Sequence, residues 1–178
     1  MKEPVKPKEL EPILRAAGFD EVVSKYSQDQ ALEEASRCLQ CQDPVCIEGC
    51  PVGIDIKKFI SQISQKDYKG AYLTIREKNN FPSICGRVCP AEFQCRKACI
   101  LNKKGLAFAC PETINIHFLE RFVGDYGVEE KIEAPITKDE KLSKFKVAVV
   151  GSGPAGLGVA GELSRSGIKV IVFEGLHK

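Results

Sequence analysis

The sequence has no strong excess of charge of either sign, because 26 Lys and Arg residues are balanced by 24 Asp and Glu residues and leave a net charge of +2. This balance gives no indication of general nucleic-acid or anionic-membrane binding. No apolar run approaches the length of a transmembrane helix. The opening MKEPVKPKELEP is polar and proline-rich, unlike a signal peptide or a membrane anchor. These absences predict a cytoplasmic protein that has neither a membrane nor a nucleic acid as its partner.

Cysteine, by contrast, is abundant, since the 178 residues include nine. An odd number of cysteines without a secretory signal argues against a disulfide framework, because the cytosol keeps thiols reduced. Two cysteine-dense kinds of site then remain, which are zinc sites and iron–sulfur clusters.

Eight of the cysteines fall into two blocks, C-x2-C-x4-C-x3-C-P and C-x3-C-P-x4-C-x3-C. Structural zinc sites usually pair two short knuckles such as C-x2-C around one ion, and the sequence has one C-x2-C. In two-cluster ferredoxins the cysteine that precedes proline ligates the other cluster. The spacing therefore favours two iron–sulfur clusters over zinc, and Cys50, which precedes Pro51, turns away from the cluster of its own block.

Two four-iron clusters need eight ligands, and the two blocks supply eight thiols: Cys38, Cys41, Cys46, Cys50, Cys85, Cys89, Cys95 and Cys99. Cys110 is then left over, and the spacing does not decide which thiol binds which cluster. Each nearby cation either raises the reduction potential of a negatively charged cluster or is ordinary surface charge. These cations are Arg37, Lys57, Lys58, Arg87, Arg96 and Lys97.

A second motif, VAVVGSGPAGL, places Gly151, Gly153 and Gly156 as G-x-G-x-x-G between a β-branched strand and a helix. Gly151 permits the tight turn, Gly153 lets the backbone approach a pyrophosphate, and Gly156 allows close helix–strand packing. The helix N-terminus offers free N–H groups to the phosphates. Glu174 ends the second strand, where an acid can hydrogen-bond a ribose. The pattern predicts a dinucleotide site, which His177 either lines or adjoins at the surface.

The remaining pattern predicts helices over KELEPILRAAG, over QALEEASRC with Ser27 or Asp29 as its cap and Cys38 in its last turn, over IDIKKFISQIS, and over 68–78 and 114–126. We expect an α-helical domain at 1–128, a charged linker at 129–145 and one β-α-β unit at 146–178. His117 is predicted to be structural. A two-stranded parallel fragment cannot bury its own faces, so the chain is expected to be the N-terminal part of a longer polypeptide.

Taken together, RCLQCQDPVCIEGCP, CGRVCPAEFQC, LERFVGDY and KVAVVGSGPAGL strongly resemble the small subunits of bacterial NADPH-dependent glutamate synthase. Related proteins are the large subunit of ferredoxin:NADP oxidoreductase, also called sulfide dehydrogenase, and the N-terminal part of dihydropyrimidine dehydrogenase. The similarity extends from about residue 28 to 178. It implies a mainly α fold, in which an α-helical ferredoxin-like domain with two 4Fe-4S clusters precedes the start of a Rossmann-type FAD domain.

The resemblance also implies how the ligands divide. One cluster takes Cys38, Cys41, Cys46 and Cys99, and the other takes Cys50, Cys89, Cys95 and the carboxylate of Glu120. Cys85 is then a buried non-ligand, although counting thiols alone would use it in place of Glu120, which the residues by themselves would make a solvent-facing helical acid. The turn is expected to hold FAD rather than NAD, with the cofactor-binding residues Gly151, Gly153, Pro154, Ala155, Gly156 and Glu174.

In whole enzymes of this kind, NADPH reduces FAD and electrons pass singly through the clusters to a partner. For glutamate synthase the partner is the large subunit, which makes glutamate from glutamine and 2-oxoglutarate. The resemblance thus implies an electron-transfer segment that has no general acid, base or nucleophile and is inactive alone. The alternatives are a ferredoxin:NADP oxidoreductase or sulfide dehydrogenase subunit and, from another class, a zinc-stabilised interaction module without catalytic activity.

Overall fold

The structure is a computed structural model that describes residues 3–102, 112–136 and 139–176. The chain divides into two compact units, Met1–Ile132 and Glu133–Lys178, so the division falls inside the segment 129–145 that the sequence predicts to be a linker. Helices dominate the first unit, and the second unit contains a two-stranded parallel sheet. None of the described helices combines the length and the apolar composition needed to cross a membrane.

Over its described residues, the first unit contains helices α1 Pro12–Ala17, α2 Gln28–Ser36, α3 Val45–Glu48, α4 Ile56–Ser64, α5 Tyr68–Arg76, α6 Pro82–Val88, α7 Cys95–Ala98 and α8 Ile116–Glu129, with a 3₁₀ turn at Ala91–Phe93. Helices α1, α2, α4, α5 and α8 confirm the five predicted ones. The others, α3, α6 and α7, are short segments in or beside the cysteine blocks. Their few residues give too short a window for helical periodicity to show in the sequence.

Side-chain caps explain where two of the predicted helices begin. At α2, the Ser27 hydroxyl accepts a hydrogen bond from the Gln30 backbone N–H at 3.2 Å, and Gln30 Oε1 accepts one from the Ser27 N–H at 2.9 Å. This reciprocal pair is a capping box. At α4, Asp55 accepts a hydrogen bond from the backbone N–H of Lys58 at 3.0 Å. Helix α2 ends at Ser36, so the prediction that its last turn carries Cys38 is wrong.

The core of the first unit lies between the apolar faces of α4, α5 and α8. Helical spacing puts Phe59, Ile60 and Ile63 on one face of α4, and each is at most 1% exposed. They belong to one buried cluster with residues of α5 and α8, among them Ala71, Ile75, Leu119 and Val123. Burying a side chain of this kind contributes about 1.5–3 kcal/mol. The cluster therefore anchors α8, the helix that carries Glu120.

Helix α6 approaches α8 at short range because glycines lie at the contact. A Cβ added at Gly86 would stand 2.5 Å from the backbone nitrogen of Arg121, and one added at Gly124 would clash with the backbone of Ser83. Any larger residue at these two positions would push the helices apart. The close approach brings α6, which carries Cys85, next to the part of α8 on which Glu120 lies.

A buried ion pair lies beside the first cysteine block. Nη1 of Arg37 is 2.5 Å from Oε1 of Glu34, and the guanidinium also donates to the carbonyl oxygens of Glu112 and Thr113. The same carboxylate oxygen of Glu34 accepts the backbone N–H of Asn115 at 2.8 Å. Arg37, one of the cations near the cysteine blocks, is therefore a buried structural residue and not surface charge.

In the second unit, β1 Lys146–Val150, α9 Pro154–Arg165 and β2 Lys169–Phe173 follow one another. The strands pair in parallel, with Lys146 opposite Lys169 and Val150 opposite Phe173. This arrangement confirms the predicted β-α-β order.

Candidate functional site

Two short helices bring the cysteine blocks together. Helix α3 packs against α7. Cys46 lies in α3 and Cys50 comes two residues after its end, whereas Cys95 is the first residue of α7 and Cys99 is its C-terminal cap. The two cysteines at each helix, one inside it and one just past its end, are about one helical turn apart along the chain. Each helix therefore presents one thiol to each of the two ligand groups described below.

The first group consists of four thiols that line one pocket, Cys38, Cys41, Cys46 and Cys99. The pocket contains about 440 Å³ of space not filled by atoms, part of it open to solvent. Most of the other described lining residues are Ile, Leu, Val or Pro, together with the side chain of Lys57. The residues brought together here are the four that the resemblance assigns to one cluster.

The electrostatics of the thiols agree with their position around one pocket. Burial raises the pKa of Cys38, and the nearby Cys99 and Cys41 raise it further. Burial likewise raises the pKa of Cys46 to about 11, with Cys99 and Cys38 as the next contributors. Iron–sulfur clusters are held by cysteine thiolates in sets of four. Four thiols on an apolar pocket therefore fit such a cluster by their donor chemistry.

The second group brings three thiols together with a carboxylate. Burial raises the pKa of Cys89 to about 11, and Glu120, Cys85 and Cys50 are the next causes of that increase. Burial also raises the pKa of Cys95, with further increases from Cys89, Cys50 and Glu120. Helix packing agrees with this grouping, because α3, which Cys50 follows, packs against α7, which begins with Cys95. Helix α6, which carries Cys85 and has Cys89 as its C-terminal cap, packs against α8, which carries Glu120. Cys85 is thus a fifth possible ligand beside the four predicted ones.

Glu120 is buried, with only 7% of its surface exposed. The expectation from the residues alone, a solvent-facing helical acid, is therefore wrong. Burial raises the pKa of Glu120 to about 7, and the hydrogen bond from Asn79 acts in the opposite direction. A buried carboxylate is costly unless it is paired, hydrogen-bonded or coordinated to a metal, so the position suits a ligand.

Cys85 is half-buried, so the expectation that it is a buried residue is wrong. Its Sγ donates to Oδ1 of Asn79 at 3.6 Å, and Nδ2 of Asn79 donates to Oε1 of Glu120 at 2.8 Å. No pattern in the sequence distinguishes Asn79, because an asparagine shortly before Pro82 is an ordinary helix-breaking signal. A contact made 41 residues away along the chain leaves no local pattern.

The two groups adjoin each other, because Cys46 and Cys50 lie at one short helix, and Cys95 and Cys99 lie at the helix packed against it. In the described ranges, no three side chains of His, Cys, Asp or Glu form a group that could hold a single metal ion.

His117 packs on Phe118 with ring centroids 4.0 Å apart, which fits the structural role predicted for it. Cys110 and His177 lie outside the described residues.

The glycine turn of the second unit has the backbone that the motif requires. Gly151 adopts a φ of +96°, in the region that favours glycine. A Cβ at Gly156 would clash with the carbonyl oxygen of Gly151, so the helix packs closely on the turn as predicted. Gly153 is the N-cap of α9, Pro154 is its first residue and Ala155 follows. The first N–H groups of a helix lack intrahelical partners and favour phosphate.

Glu174 comes directly after β2 and bonds to the same turn. Its carboxylate accepts the backbone N–H of Ser152 at 2.8 Å, the Ser152 hydroxyl at 2.7 Å and the backbone N–H of Leu176 at 2.9 Å. These hydrogen bonds lower the pKa of Glu174 to about 2. An ionised, exposed acceptor therefore stands at the turn, where the hydroxyl groups of a ribose would need one.

Comparison with known families gives two matches. The family model described as dihydropyrimidine dehydrogenase domain II, 4Fe-4S cluster, matches residues 15–132, which include both ligand groups. A second model, described as FAD binding domain, matches residues 144–178, which include the glycine turn and Glu174.

Several curated proteins are similar along most of the chain. The NAD-dependent dihydropyrimidine dehydrogenase subunit PreT of Escherichia coli (strain K12) is 37% identical over 156 residues, which are 88% of this chain and 36% of that protein. The glutamate synthase (NADPH) small chain of Azospirillum brasilense is 32% identical over 160 residues, 90% of this chain and 32% of that protein. The chain therefore spans about a third of the length of these relatives.

Proposed function

The chain belongs to the family described as dihydropyrimidine dehydrogenase domain II, 4Fe-4S cluster, and on this premise we propose that it is the electron-transfer part of an NAD(P)H-dependent flavin and iron–sulfur oxidoreductase. Its first unit holds two 4Fe-4S clusters, and its second unit is the start of a Rossmann-type FAD-binding domain. The domains are those predicted at 1–128 and 146–178, in a cytoplasmic protein.

The convergence of Cys38, Cys41, Cys46 and Cys99 on one apolar pocket is the observation that carries this proposal. It brings together three thiols of the first block and the last thiol of the second, which no local zinc knuckle requires. Cys50, Cys89, Cys95 and Glu120 form the second set of four. When bound, a 4Fe-4S cluster accepts and releases single electrons, whereas a flavin carries hydride chemistry.

The residues of the first unit have three tasks in this proposal. The thiols and Glu120 hold the clusters, the apolar lining of the first pocket excludes water, and Lys57 sets a positive charge beside the first cluster. In the second unit, the N-terminus of α9 receives the pyrophosphate of FAD and Glu174 accepts hydrogen bonds from its ribose. No residue acts as an acid, a base or a nucleophile.

The electron acceptor is proposed to be a partner subunit. The resemblance of the cysteine blocks supports the large subunit of an NADPH-dependent glutamate synthase, which makes glutamate from glutamine and 2-oxoglutarate. A pyrimidine-reducing partner is the second candidate, since the relative named as a dihydropyrimidine dehydrogenase subunit has the higher identity, 37% against 32%. Extracts of a strain that lacks the gene should lose one of the two NAD(P)H-dependent activities, and the lost activity identifies the partner.

Metal analysis tests the proposed electron-transfer role. The 178-residue chain, purified without oxygen, should contain about eight iron atoms and as many acid-labile sulfides per chain, as two 4Fe-4S clusters require. It should be brown and should give paramagnetic signals on reduction. Stoichiometric zinc without sulfide would instead indicate the zinc-stabilised interaction module and would contradict the proposal.

A further inference from the structure

The second ligand group contains one donor more than a four-iron cluster uses. Its five possible ligands are the thiols Cys50, Cys85, Cys89 and Cys95 and the carboxylate of Glu120, which the packing of α3 on α7 and of α6 on α8 and the bonds of Asn79 bring together. A cluster takes four protein ligands, so one of the five must be kept away from the iron. Three of the thiols come from loops or helix ends, whereas Cys85 and Glu120 lie within the packed helices α6 and α8. The residue that is kept away from the iron is therefore either Cys85 or Glu120.

The side-chain amide of Asn79 contacts both Cys85 and Glu120. Nδ2 of Asn79 donates to Oε1 of Glu120 at 2.8 Å, and Oδ1 of Asn79 accepts from Sγ of Cys85 at 3.6 Å. The orientation of this amide is fixed, because Oδ1 also accepts the backbone N–H of Phe81 at 2.8 Å. Asn79 itself is 7% exposed. The Nδ2 atom of Asn79 therefore faces Glu120 as a donor, and its Oδ1 atom faces Cys85 as an acceptor.

We propose that Asn79 is a positioning residue that selects Glu120 over Cys85 as the fourth ligand of the second cluster, an inference that rests on the proposed iron–sulfur function. The bond from Nδ2 occupies Oε1 of Glu120 and leaves Oε2 available for iron. The sulfur of Cys85 is held at the other end of the same amide, 3.6 Å from Oδ1. One side chain therefore positions both candidate ligands, the carboxylate at its Nδ2 and the thiol at its Oδ1.

The selection has a chemical consequence, because carboxylate oxygen is a harder ligand than thiolate sulfur. A cluster with three thiolates and a carboxylate differs in its reduction potential and in its paramagnetic spectrum from one with four thiolates. Hydrogen bonds from outside the ligand shell also hold ligands in place, and their loss typically costs 10–100-fold in metal affinity. Asn79 would thereby set the properties of the second cluster without touching it.

The substitution Asn79→Asp tests the inference with little change in shape. It keeps an acceptor for the Phe81 N–H and replaces the donor to Glu120 by an oxygen that repels the carboxylate. We expect Cys85 to replace Glu120, so the iron content should stay at the wild-type level while the signal of the second centre shifts. The double variant Asn79→Asp, Cys85→Ser should lose that signal and half of the iron. Cys85→Ser alone, the matched control, should leave both signals unchanged.

An unchanged second signal in Asn79→Asp would overturn the inference, and so would a changed signal in Cys85→Ser. If Asn79→Asp does not fold, Glu120→Ala replaces it in the same comparison, with a shifted second signal when Cys85 is present and loss of half of the iron when Cys85 is serine. Loss of half of the iron in Glu120→Ala alone would show that Cys85 does not compete. Absence of iron and sulfide from the wild-type chain would instead refute the proposed function.

Discussion

Gly49 and Ala98 are in contact where α3 crosses α7, so closely that a Cβ added at Gly49 would stand 2.7 Å from the Cβ of Ala98. The same added carbon would be 3.0 Å from the carbonyl oxygen of Gln94 and 3.2 Å from Cα of Cys95. The contact joins the two helices α3 and α7, each of which supplies one thiol to the first ligand group and another thiol to the second. The separation between the groups therefore depends on the absence of a side chain at this position.

Gly49→Ala should consequently damage both clusters. The backbone of Gly49 is already helical, with φ −73°, so the cost arises from overpacking, which is typically about 1–3 kcal/mol. We expect lower iron content and a lower unfolding temperature. Gly18→Ala is the control, because its added Cβ would have its nearest neighbour at 4.0 Å. Full iron content in Gly49→Ala would show that the contact does not set the site.

Lys57 and Lys58 are adjacent in sequence but differ in their distance from the first group. Lys57 lines the pocket of the four thiols, whereas Lys58 is exposed and lies 3.6 Å from Glu77. Removing a positive charge beside a negatively charged cluster favours the oxidised form. Lys57→Gln should therefore lower the reduction potential of the first centre in a potentiometric titration, and Lys58→Gln should leave it unchanged. Equal potentials in both variants would contradict a role for Lys57.

Arg37 should be a stability residue. Its side chain and that of Glu34 are at most 3% exposed, and removal of one partner leaves the other charge buried. Breaking a buried pair in this way typically costs about 3–5 kcal/mol. Arg37→Ala should reduce the free energy of unfolding, measured with urea, by about that amount. A loss below about 1 kcal/mol, as for an exposed pair, would show that the ion pair is not buried in solution.

Glu174 should titrate far below its ordinary pKa of 4.5, because Ser152 and Leu176 donate hydrogen bonds to its charged form. A depressed pKa stabilises the folded form above about pH 4.5, and the stabilisation is lost as the pH falls toward 2. Carboxyl-carbon NMR should give a midpoint of about 2, and Ser152→Ala should move it toward 4.5. A wild-type midpoint near 4.5 would mean that the bonds to the glycine turn do not form.

Local signals in the sequence suffice for the parts of the fold that local chemistry determines. The caps Ser27 and Asp55 mark the starts of α2 and α4, and the glycine turn marks the β-α-β unit. Helices α3 and α7 have four residues each, too few for a periodic pattern, and they are held by the packing of Gly49 on Ala98. Their arrangement is tertiary, so no local rule could predict it.

The candidate site was likewise predictable only where spacing carries the information. The two cysteine blocks indicate iron–sulfur clusters, but the assignment of each ligand to one of the two clusters rests on the family resemblance. Glu120 has the sequence context of a surface acid, and it is buried because α6 approaches α8 at Gly86. Asn79 and Arg37 have roles that depend on partners distant in the chain, Glu120 and Thr113 respectively. Such contacts become visible only in three dimensions.

The central claim is that one short helix, α7, supplies a ligand to each of two clusters. The most direct measurement compares the paramagnetic spectra of reduced Cys95→Ser and Cys99→Ser, purified without oxygen. The account predicts that Cys99→Ser loses or alters only the first centre and Cys95→Ser only the second, while the other signal keeps its wild-type form. Loss of the same signal in both variants would place both thiols on one cluster and contradict the account.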